Sequence, residues 1–340
     1  MKKKALVAMS GGVDSAVSAY LALENGYECV GATMLLCDRD TAASDAADAA
    51  AVCRALGISH HVIDFRNEFK RYVIDSFVAS YEKGSTPNPC IVCNRHLKFG
   101  LLYEKALSLG CDTIVTGHYA RIEDGFLKKA KDISKDQSYV LYCMDRALLG
   151  HVYLPLGHLT KAEARAIALE QGFVSARKSD SQDICFVPGG DYASVIESYT
   201  KKTYPKGSFV DTKGNVLGEH SGIIRYTVGQ RKGLGIAFGK PMYVKSKNAD
   251  KNEVTLSTDE ELFDREITAS DFNLLVPMTT DVIEAKAKIR YNQTEQPATV
   301  FLLDGGRARI VFDSPQRAAA SGQSVVVYDG DIVVGGGVID

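Results

Sequence analysis

The first stretch of the sequence whose residues could do chemistry is residues 10–15, which read Ser-Gly-Gly-Val-Asp-Ser. The apolar run at residues 5–8 predicts a buried strand before it, and residues 16–23 predict a helix after it. Glycines between a strand and a helix let the backbone approach an anion, and the N–H groups of the first helical turn attract its charge. The stretch therefore predicts a phosphate-binding loop. The simpler alternative is a glycine turn in which Asp14 and Ser15 cap the helix.

This loop differs from the two commoner phosphate loops. It lacks the G-x-x-x-x-G-K-[ST] pattern, in which a lysine reaches the phosphates, and the G-x-G-x-x-G pattern of dinucleotide sites. It resembles instead the loop of the ATP pyrophosphatase superfamily. That resemblance implies binding of the β- and γ-phosphates, cleavage of ATP at the α-phosphate and adenylation of a carbonyl oxygen.

The cysteines are the second chemical feature. Cys90 and Cys93 form a Cys-x-x-Cys pair directly after Pro-Asn-Pro, and Cys185 lies in a polar loop. Zinc usually needs a second ligand pair at similar spacing, which is not evident, and a thioredoxin-like dithiol usually opens a helix. An exposed thiol with a second thiol within reach fits sulfur transfer through a persulfide better. Cys37 is ambiguous. Four others lie in apolar or helical surroundings and are predicted to be core residues: Cys29, Cys53, Cys111 and Cys143.

The elements that position these residues alternate between strand and helix through about residue 120, which predicts a doubly wound parallel sheet of the α/β class. Ligands bind such sheets at the carboxyl ends of the strands, so the loop at residues 10–15, Met34 and Gly117 are expected on one rim. Residues 139–149 predict a helical stretch, and residues 161–171 a helix capped by Thr160 and Glu163.

Two other regions depart from this alternation. Two prolines that bracket an asparagine predict a rigid, extended loop at residues 84–94. From about residue 201, short alternating runs and many glycines predict small β-structures that end in an antiparallel barrel.

Length and composition set broad limits. The chain has 340 residues, 45% hydrophobic and 24% charged, which is typical of a globular protein of two or three domains. No apolar run approaches the roughly 20 residues that span a bilayer, and the N-terminal lysines precede only a short strand. We therefore expect a cytoplasmic protein without membrane association and with reduced thiols. The net charge of −2 neither indicates nor excludes a nucleic-acid partner.

Eight motifs together resemble, in order, those of the bacterial tRNA-specific 2-thiouridylases, and the resemblance covers essentially the whole chain. They are the loop at residues 10–15, Thr-Pro-Asn-Pro at 86–89, Cys-Asn at 93–94, Thr-Gly-His-Tyr at 116–119, Lys-Asp-Gln-Ser-Tyr at 135–139, Ile-Cys-Phe at 184–186, a basic glycine loop at 229–235 and Gly-Gly-Gly at 335–337.

The resemblance implies both an architecture and a reaction. Residues 1–200 would form an ATP pyrophosphatase catalytic domain, residues 201–255 a small, mainly-β adaptor, and residues 256–340 a C-terminal antiparallel β-barrel. The enzyme would adenylate the C2 oxygen of the wobble uridine in tRNA with ATP and Mg²⁺. It would then transfer sulfur from a cysteine persulfide, giving 2-thiouridine, AMP and pyrophosphate. A sulfur-relay protein or a cysteine desulfurase would supply the sulfur.

The resemblance also implies roles for individual residues. Cys93 would be the nucleophile and Cys185 the carrier of the persulfide. ATP would be bound by Ala8, Met9, Ser10, Gly11, Gly12, Val13, Asp14, Ser15, Met34 and Gly117. The tRNA would be contacted by Asn88, Pro89 and Cys90, which would face the target base, and by Lys135, Asp136, Gln137, Arg290 and Tyr291.

Two departures from the family pattern leave alternatives open. The family often has an aspartate with an acid–base role where this chain has Cys90, and the segment after Met34 lacks an expected tryptophan. Cys90, Cys93 and Cys185 could present three thiolates to an iron–sulfur cluster with one open iron, although the persulfide pair is the preferred interpretation. An amide- or urea-forming adenylating ligase would explain the loop but not the thiols. A non-catalytic RNA-binding protein would explain neither Asp14 nor the thiols.

Overall fold

The computed structural model describes residues 3–38, 41–178, 184–236 and 239–340. Most of the polar loop predicted ahead of Cys185, residues 179–183, lies outside the described residues. In the described part of the chain, no helix combines the length and the apolar character needed to cross a bilayer.

The described residues form seventeen strands and eight α-helices. The strands are β1 (Lys4–Ala8), β2 (Glu28–Leu35), β3 (Ser59–Asp64), β4 (Thr113–Val115), β5 (Arg121–Glu123), β6 (Phe126–Lys128), β7 (Val152–Tyr153), β8 (Gly207–Val210), β9 (Val216–His220), β10 (Tyr243–Asn248), β11 (Glu253–Ser257), β12 (Phe263–Leu274), β13 (Val282–Lys288), β14 (Gln296–Leu303), β15 (Arg307–Arg317), β16 (Ser324–Asp329) and β17 (Ile332–Ile339). The α-helices are α1 (Val13–Glu24), α2 (Ala42–Ala55), α3 (Arg66–Phe69), α4 (Asp75–Glu82), α5 (Pro89–Cys93), α6 (Leu102–Ser108), α7 (Lys161–Glu170) and α8 (Tyr192–Thr200).

A parallel sheet with the strand order β3-β2-β1-β4-β7 forms the N-terminal layer. From β1 the chain adds strands first on one side, through β2 and β3, and then on the other, through β4 and β7. The strand order therefore reverses between β1 and β4, which is where doubly wound sheets bind their ligands. The prediction of a doubly wound parallel sheet is confirmed.

Residues 89–93 form α5, so the prediction of an extended loop throughout residues 84–94 was wrong. Pro89 occupies the first helical position, where a missing N–H costs no intrahelical bond and the fixed φ suits the helix. Asn88 caps this helix, because its Oδ1 accepts a hydrogen bond from the Cys90 N–H at 3.1 Å. A π-helical segment, Asn94–Leu101, then leads into α6. Cys90 and Cys93 are consequently three residues apart on a helix and share one of its faces.

Residues 139–149 were predicted to be helical but form two short 3₁₀ turns, Ser138–Val140 and Arg146–His151. Contacts with the C-terminal region explain the difference. The Tyr139 hydroxyl donates to the Ser324 carbonyl oxygen at 2.7 Å, and the Tyr142 hydroxyl lies 2.9 Å from Ser324 Oγ. These buried bonds hold the segment against β16, and tertiary contacts of this kind override local helix propensity.

The remaining strands form a small sheet and a barrel. The small sheet has the order β10-β11-β8-β9, and the barrel has the order β12-β15-β14-β13-β16-β17, closed by pairing of β17 with β12. The β5–β6 hairpin from the N-terminal region extends the barrel sheet by pairing of β6 with β17. The mainly-β middle region and the terminal antiparallel barrel are therefore confirmed. Gly336 lies where the barrel meets the N-terminal layer, and a Cβ there would be 2.6 Å from the Val325 carbonyl oxygen and 2.9 Å from the Tyr142 ring. This close approach explains why glycine is needed there.

Candidate active site

A cavity of about 810 Å³ opens at the carboxyl ends of β1, β2 and β4, beside the point where the strand order reverses. It is lined by most residues predicted for ATP binding and sulfur chemistry: Ala8, Met9, Ser10, Gly12, Val13, Asp14, Ser15, Met34, Gly117, Cys90, Cys93 and Cys185. Four residues predicted to contact tRNA also line it: Pro89, Lys135, Gln137 and Tyr291. Gly11, Asn88, Asp136 and Arg290 do not belong to its lining.

The glycine loop has the geometry of an anion site. Gly11 has φ +75°, and a Cβ there would lie 2.3 Å from the Asp45 carbonyl oxygen, so glycine is required. The Ser15 hydroxyl donates to the Gly12 carbonyl oxygen at 3.0 Å and accepts from the Ser10 N–H at 3.2 Å, which fixes the turn. Gly12 is the N-cap of α1, and no side chain caps this helix. The structure therefore does not support the alternative in which Asp14 and Ser15 serve as caps.

Gly117 and Met34 complete the rim around the loop. A Cβ at Gly117 would lie 3.0 Å from the backbone of Asp14, so glycine lets the end of β4 pack closely against the start of α1. The Thr33 hydroxyl donates to the Met9 carbonyl oxygen at 2.9 Å and ties the ends of β1 and β2 together. Met34 thereby lies at the edge of the cavity, as expected for a residue at the carboxyl end of β2.

Lys161 is a cavity residue that sequence reasoning missed. Its Nζ lies 2.7 Å and 2.8 Å from the two carboxylate oxygens of Asp14, and its side chain is only 12% exposed. The Tyr119 hydroxyl donates to Asp14 Oδ1 at 2.9 Å. Lys161 is the first residue of α7, where the predicted capping box of Thr160 and Glu163 is present. The glycine loop has no lysine of its own, and this lysine comes from 147 residues further along the chain.

Cys90 and Cys93 lie on α5 in two different environments. Cys90 is exposed, whereas Cys93 is 8% exposed and packs beside Phe69 and Leu97. The walls of the cavity desolvate both sulfur atoms, which raises the pKa of each thiol above its usual value, and the Lys98 ammonium partly opposes this effect. Lys98 is therefore the cation that favours thiolate formation in this part of the cavity.

His118 holds Lys98 in place. Its Nε2 lies 3.3 Å from Lys98 Nζ, and its Nδ1 lies 2.7 Å from Thr116 Oγ1. Burial, together with the nearby Lys98 charge, holds the pKa of His118 well below its usual value, so the imidazole is neutral. A neutral ring has one acceptor nitrogen. Because an ammonium group can only donate, we assign Nε2 as the acceptor of the Lys98 proton and Nδ1–H as the donor to Thr116.

Cys37, which was ambiguous in the sequence, lies in the cavity wall beside Cys185. Interaction with the Cys37 thiol, together with desolvation, raises the pKa of the Cys185 thiol well above its usual value. The charges of Cys93 and Cys90 act in the same direction. Four cysteines thus surround one cavity. All eight cysteines are among the described residues, and none of them forms a disulfide in this structure.

Asp136 is used inside the protein rather than presented to a ligand. It is 8% exposed, and its Oδ1 accepts from the N–H groups of Ala130, at 2.9 Å, and Ser138, at 3.2 Å. Its Oδ2 accepts from the Ser138 hydroxyl at 2.7 Å. This carboxylate is buried and holds the 135–139 turn together, and the contact of Asp136 with tRNA stays a prediction. Gln137 and Lys135 on the same turn line the cavity.

Arg290 is also partly committed to the fold. Its Nη2 donates to the carbonyl oxygens of Val228, at 3.0 Å, and Ala318, at 2.9 Å, and burial lowers its pKa. It therefore fastens the start of the basic glycine loop to the barrel. Tyr291 is different, because it is 39% exposed, lines the cavity and donates its hydroxyl proton to the Asp136 carbonyl oxygen at 2.9 Å.

Cys90, Cys93 and Cys185, the three cysteines considered for an iron–sulfur cluster, all line the cavity, and the cluster stays a prediction. Within the described ranges, no group of three or more His, Cys, Asp or Glu residues is arranged to hold a metal ion.

The fold and the cavity define a nucleotide-binding α/β enzyme with thiols at its nucleotide site, and family models identify its three regions. The tRNA methyl transferase HUP domain matches residues 3–189, which is more than half of the chain. The tRNA methyl transferase PRC-barrel domain matches residues 193–258, and the aminomethyltransferase beta-barrel domain matches residues 264–339.

Full-length relatives give a more specific assignment. The chain is 49% identical over 356 residues to the tRNA-specific 2-thiouridylase MnmA of Acetivibrio thermocellus, covering 99% of each chain. It is 46% identical to the protein of the same name from Clostridioides difficile, covering 100% of this chain and 99% of that one. The chain belongs to the tRNA-specific 2-thiouridylase MnmA family. A crystal structure of a 4-thiouridine synthetase–RNA complex with bound ATP is a remote likeness, with a TM-score of 0.41 and 19% identity over 58% of this chain and 50% of that chain.

Proposed function

We propose that this protein is a tRNA-uridine 2-sulfurtransferase that replaces the C2 oxygen of the wobble uridine with sulfur. The observation that carries the proposal is that the glycine loop and the thiols line the same cavity. The loop alone would fit any enzyme that adenylates a carbonyl oxygen, and the thiols alone would fit many redox proteins. The names of the full-length relatives support tRNA as the substrate, and a tRNA substrate supports the expected cytoplasmic location.

The first step is adenylation. The C2 oxygen of uracil is a poor leaving group, so it attacks the α-phosphate of ATP, the bond to pyrophosphate breaks, and the oxygen becomes part of AMP. Negative charge builds up on the departing pyrophosphate. The uncapped start of α1 and the Lys161 ammonium are the two groups beside the loop that stabilise this charge.

Mg²⁺ would accompany ATP into this site. In such sites Mg²⁺ is bound by substrate phosphates and one or two carboxylates, and when bound it neutralises phosphate charge. Asp14 supplies one carboxylate at the loop, so the residues present fit this ion. Tyr119 and Lys161 orient that carboxylate.

The second step replaces AMP with sulfur. Cys185 carries the persulfide, its outer sulfur attacks C2, and AMP departs. A second thiol then attacks the Cys185 sulfur, which leaves 2-thiouridine and a disulfide. In the alternative route the second thiol attacks first, and the released hydrosulfide attacks C2. The family pattern assigns the role of second thiol to Cys93. Cys90 lies one helical turn away and is a further thiol in the same cavity.

The substrate must bring its base into the cavity. A wobble uridine has to leave the anticodon stack to reach C2 chemistry, and Pro89 and Tyr291 offer apolar and aromatic surface for it. We assign residues 1–200 to catalysis, 201–255 to an adaptor and 256–340 to a barrel that completes the tRNA-binding face. The bounds of the three matching family models support this division. A sulfur-relay protein or cysteine desulfurase is the proposed donor.

The test combines purified protein, ATP, a persulfide donor and tRNA from a strain that lacks the gene. We expect pyrophosphate release that depends on tRNA, and 2-thiouridine at the wobble position only when the donor is present. Pyrophosphate release with a small amine or acid and no tRNA would indicate an amide- or urea-forming ligase. Binding of tRNA without any pyrophosphate release would indicate a non-catalytic RNA-binding protein.

A further inference from the structure

We propose that Lys288 positions Tyr291 and, with it, the aromatic surface on which the target uridine is held. The inference rests on the proposed function, since it assumes that Tyr291 contacts the tRNA. Lys288 is the last residue of β13, and Tyr291 follows three residues later. Because Lys288 does not line the cavity itself, it would act on the substrate only through Tyr291.

The Lys288 ammonium is surrounded by tyrosine rings. Lys288 is only 7% exposed. Its Nζ lies 5.4 Å from the ring centroids of both Tyr139 and Tyr328, and 6.0 Å from that of Tyr291. The face of an aromatic ring attracts a cation within about 6 Å of the centroid. Nζ also donates a hydrogen bond to the Tyr291 carbonyl oxygen at 3.4 Å. Lys288 therefore interacts with both the ring and the backbone of Tyr291.

The stability of the fold does not account for a charge at this position. Among the described residues, no carboxylate forms an ion pair with Lys288, and the nearby Glu295 pairs with Lys129 instead. Removing an ammonium group from water costs free energy, which ring faces and one long hydrogen bond offset only in part. Burial accordingly lowers the pKa of Lys288, and the Asp136 and Glu295 carboxylates oppose this shift. An apolar side chain would avoid the cost, so we attribute the charge to the residue that it holds in place.

Tyr291 is held on the protein side and accessible on the cavity side. Its hydroxyl donates to the Asp136 carbonyl oxygen at 2.9 Å, and its ring packs edge to face with Tyr139 at 5.9 Å between centroids. Lys288 adds the contact to the Tyr291 backbone. Tyr291 is nevertheless 39% exposed and lines the cavity. A preformed aromatic surface of this kind binds a base without the entropy cost of ordering a mobile side chain.

The experiment compares full-length Lys288→Met with the wild type in two assays, one of which contains no tRNA. Without tRNA, hydrogen–deuterium exchange of the peptide that covers residues 289–293 should increase severalfold, while exchange in β14 and β15 stays unchanged. With tRNA, the KM for tRNA in pyrophosphate release should rise about tenfold, at nearly unchanged kcat and KM for ATP. Lys288→Arg keeps the cation and should retain more of the affinity for tRNA than Lys288→Met.

A double-mutant cycle distinguishes action through Tyr291 from a merely structural role. In a Tyr291→Ala background, the further change Lys288→Met should leave the KM for tRNA unchanged within about twofold, because the ring that Lys288 positions is gone. Arg309→Met is the matched control for the exchange assay. Arg309 Cζ lies 4.4 Å from the centroid of the Phe301 ring, on the same barrel but outside the cavity lining, so its loss should not change exchange at residues 289–293.

Two results would overturn the inference. One is unchanged exchange at residues 289–293 in a folded Lys288→Met variant, and the other is a tenfold effect of Lys288→Met that persists in the Tyr291→Ala background. Thermal unfolding shows whether each variant is folded, and Lys288→Gln takes the place of Lys288→Met if the latter does not fold. A wild-type protein that binds no tRNA would refute the proposed function, whereas the exchange assay would still decide whether Lys288 positions Tyr291.

Discussion

Replacing Lys161 with methionine tests how the cavity handles the charge of pyrophosphate. Lys161 Nζ lies 2.7 Å from Asp14, and at an effective dielectric constant of about 20 the gross attraction at that distance is about 6 kcal/mol. Desolvation of both groups offsets most of this, and the Asp14 side chain is still 34% exposed, so the loss of unfolding free energy should be only about 1 kcal/mol. The loss of activity should be larger. Removing one donor from developing negative charge typically lowers kcat by about 10²–10³-fold.

The assay is tRNA-dependent pyrophosphate release, with tRNA binding measured in parallel. Lys161→Met should lower the rate of release and leave tRNA affinity near that of the wild type, and Lys161→Arg should retain part of the rate. Lys4→Met is the matched control, because Lys4 also forms an ion pair, at 3.0 Å to Glu28, but lies at the opposite, amino end of β1. Wild-type pyrophosphate release by a folded Lys161→Met variant would refute the assignment of this lysine to the phosphates.

Three further predictions follow from the same cavity. Asp14→Ala should abolish pyrophosphate release in a protein that still folds, with a loss of unfolding free energy of about 1 kcal/mol or somewhat more because the same ion pair is broken, and continued ATP cleavage would contradict the adenylation step. Lys98→Met should move the alkaline rise of the pH–rate profile for thiolation to higher pH, because the Lys98 cation lowers the pKa of the Cys93 thiol and its loss raises that pKa; an unmoved profile would show that Lys98 does not act on the reacting thiol. Cys93→Ser and Cys185→Ser should each bind tRNA without forming 2-thiouridine. In both variants the logarithm of the tRNA-binding constant should fall with the logarithm of the salt concentration, by roughly 0.9 or less per phosphate contact, and a flat salt response would argue against tRNA as a partner.

The sequence was sufficient to predict those structural features that depend only on residues close together in the chain. The capping box of Thr160 and Glu163 was predicted from their spacing and is present, because each side chain bonds to the backbone of the other. The glycine loop was equally predictable, since a turn with φ +75° at Gly11 needs a glycine whatever surrounds it. The alternation of strands and helices then placed the loop and Gly117 on one rim.

Long-range contacts explain what the sequence did not predict. Residues 139–149 have helical propensity, but buried hydrogen bonds from Tyr139 and Tyr142 to Ser324 hold them against the barrel in a non-helical conformation. Lys161 lies 147 residues after Asp14, and no sequence pattern links its helix to the glycine loop, so their contact was not predicted. The prediction from Pro89 was wrong for a local reason, because a proline at the first helical position favours the start of a helix rather than an extended loop.

The two departures from the family pattern meet in one place. Cys90 stands where the family often has an aspartate, and the segment after Met34 has no tryptophan and ends near Cys37. In the structure both cysteines line the cavity that holds Cys93 and Cys185. Desolvation by the cavity walls raises the pKa of the Cys90 thiol above its usual value, so this group is a weaker acid than a carboxyl group of ordinary pKa. Both positions supply sulfur atoms in the cavity that also holds Cys93 and Cys185, the two thiols proposed to transfer sulfur. Because Cys37 and Cys90 are distant in sequence but present the same functional group to the same cavity, we interpret both thiols as part of the proposed sulfur transfer rather than as core residues.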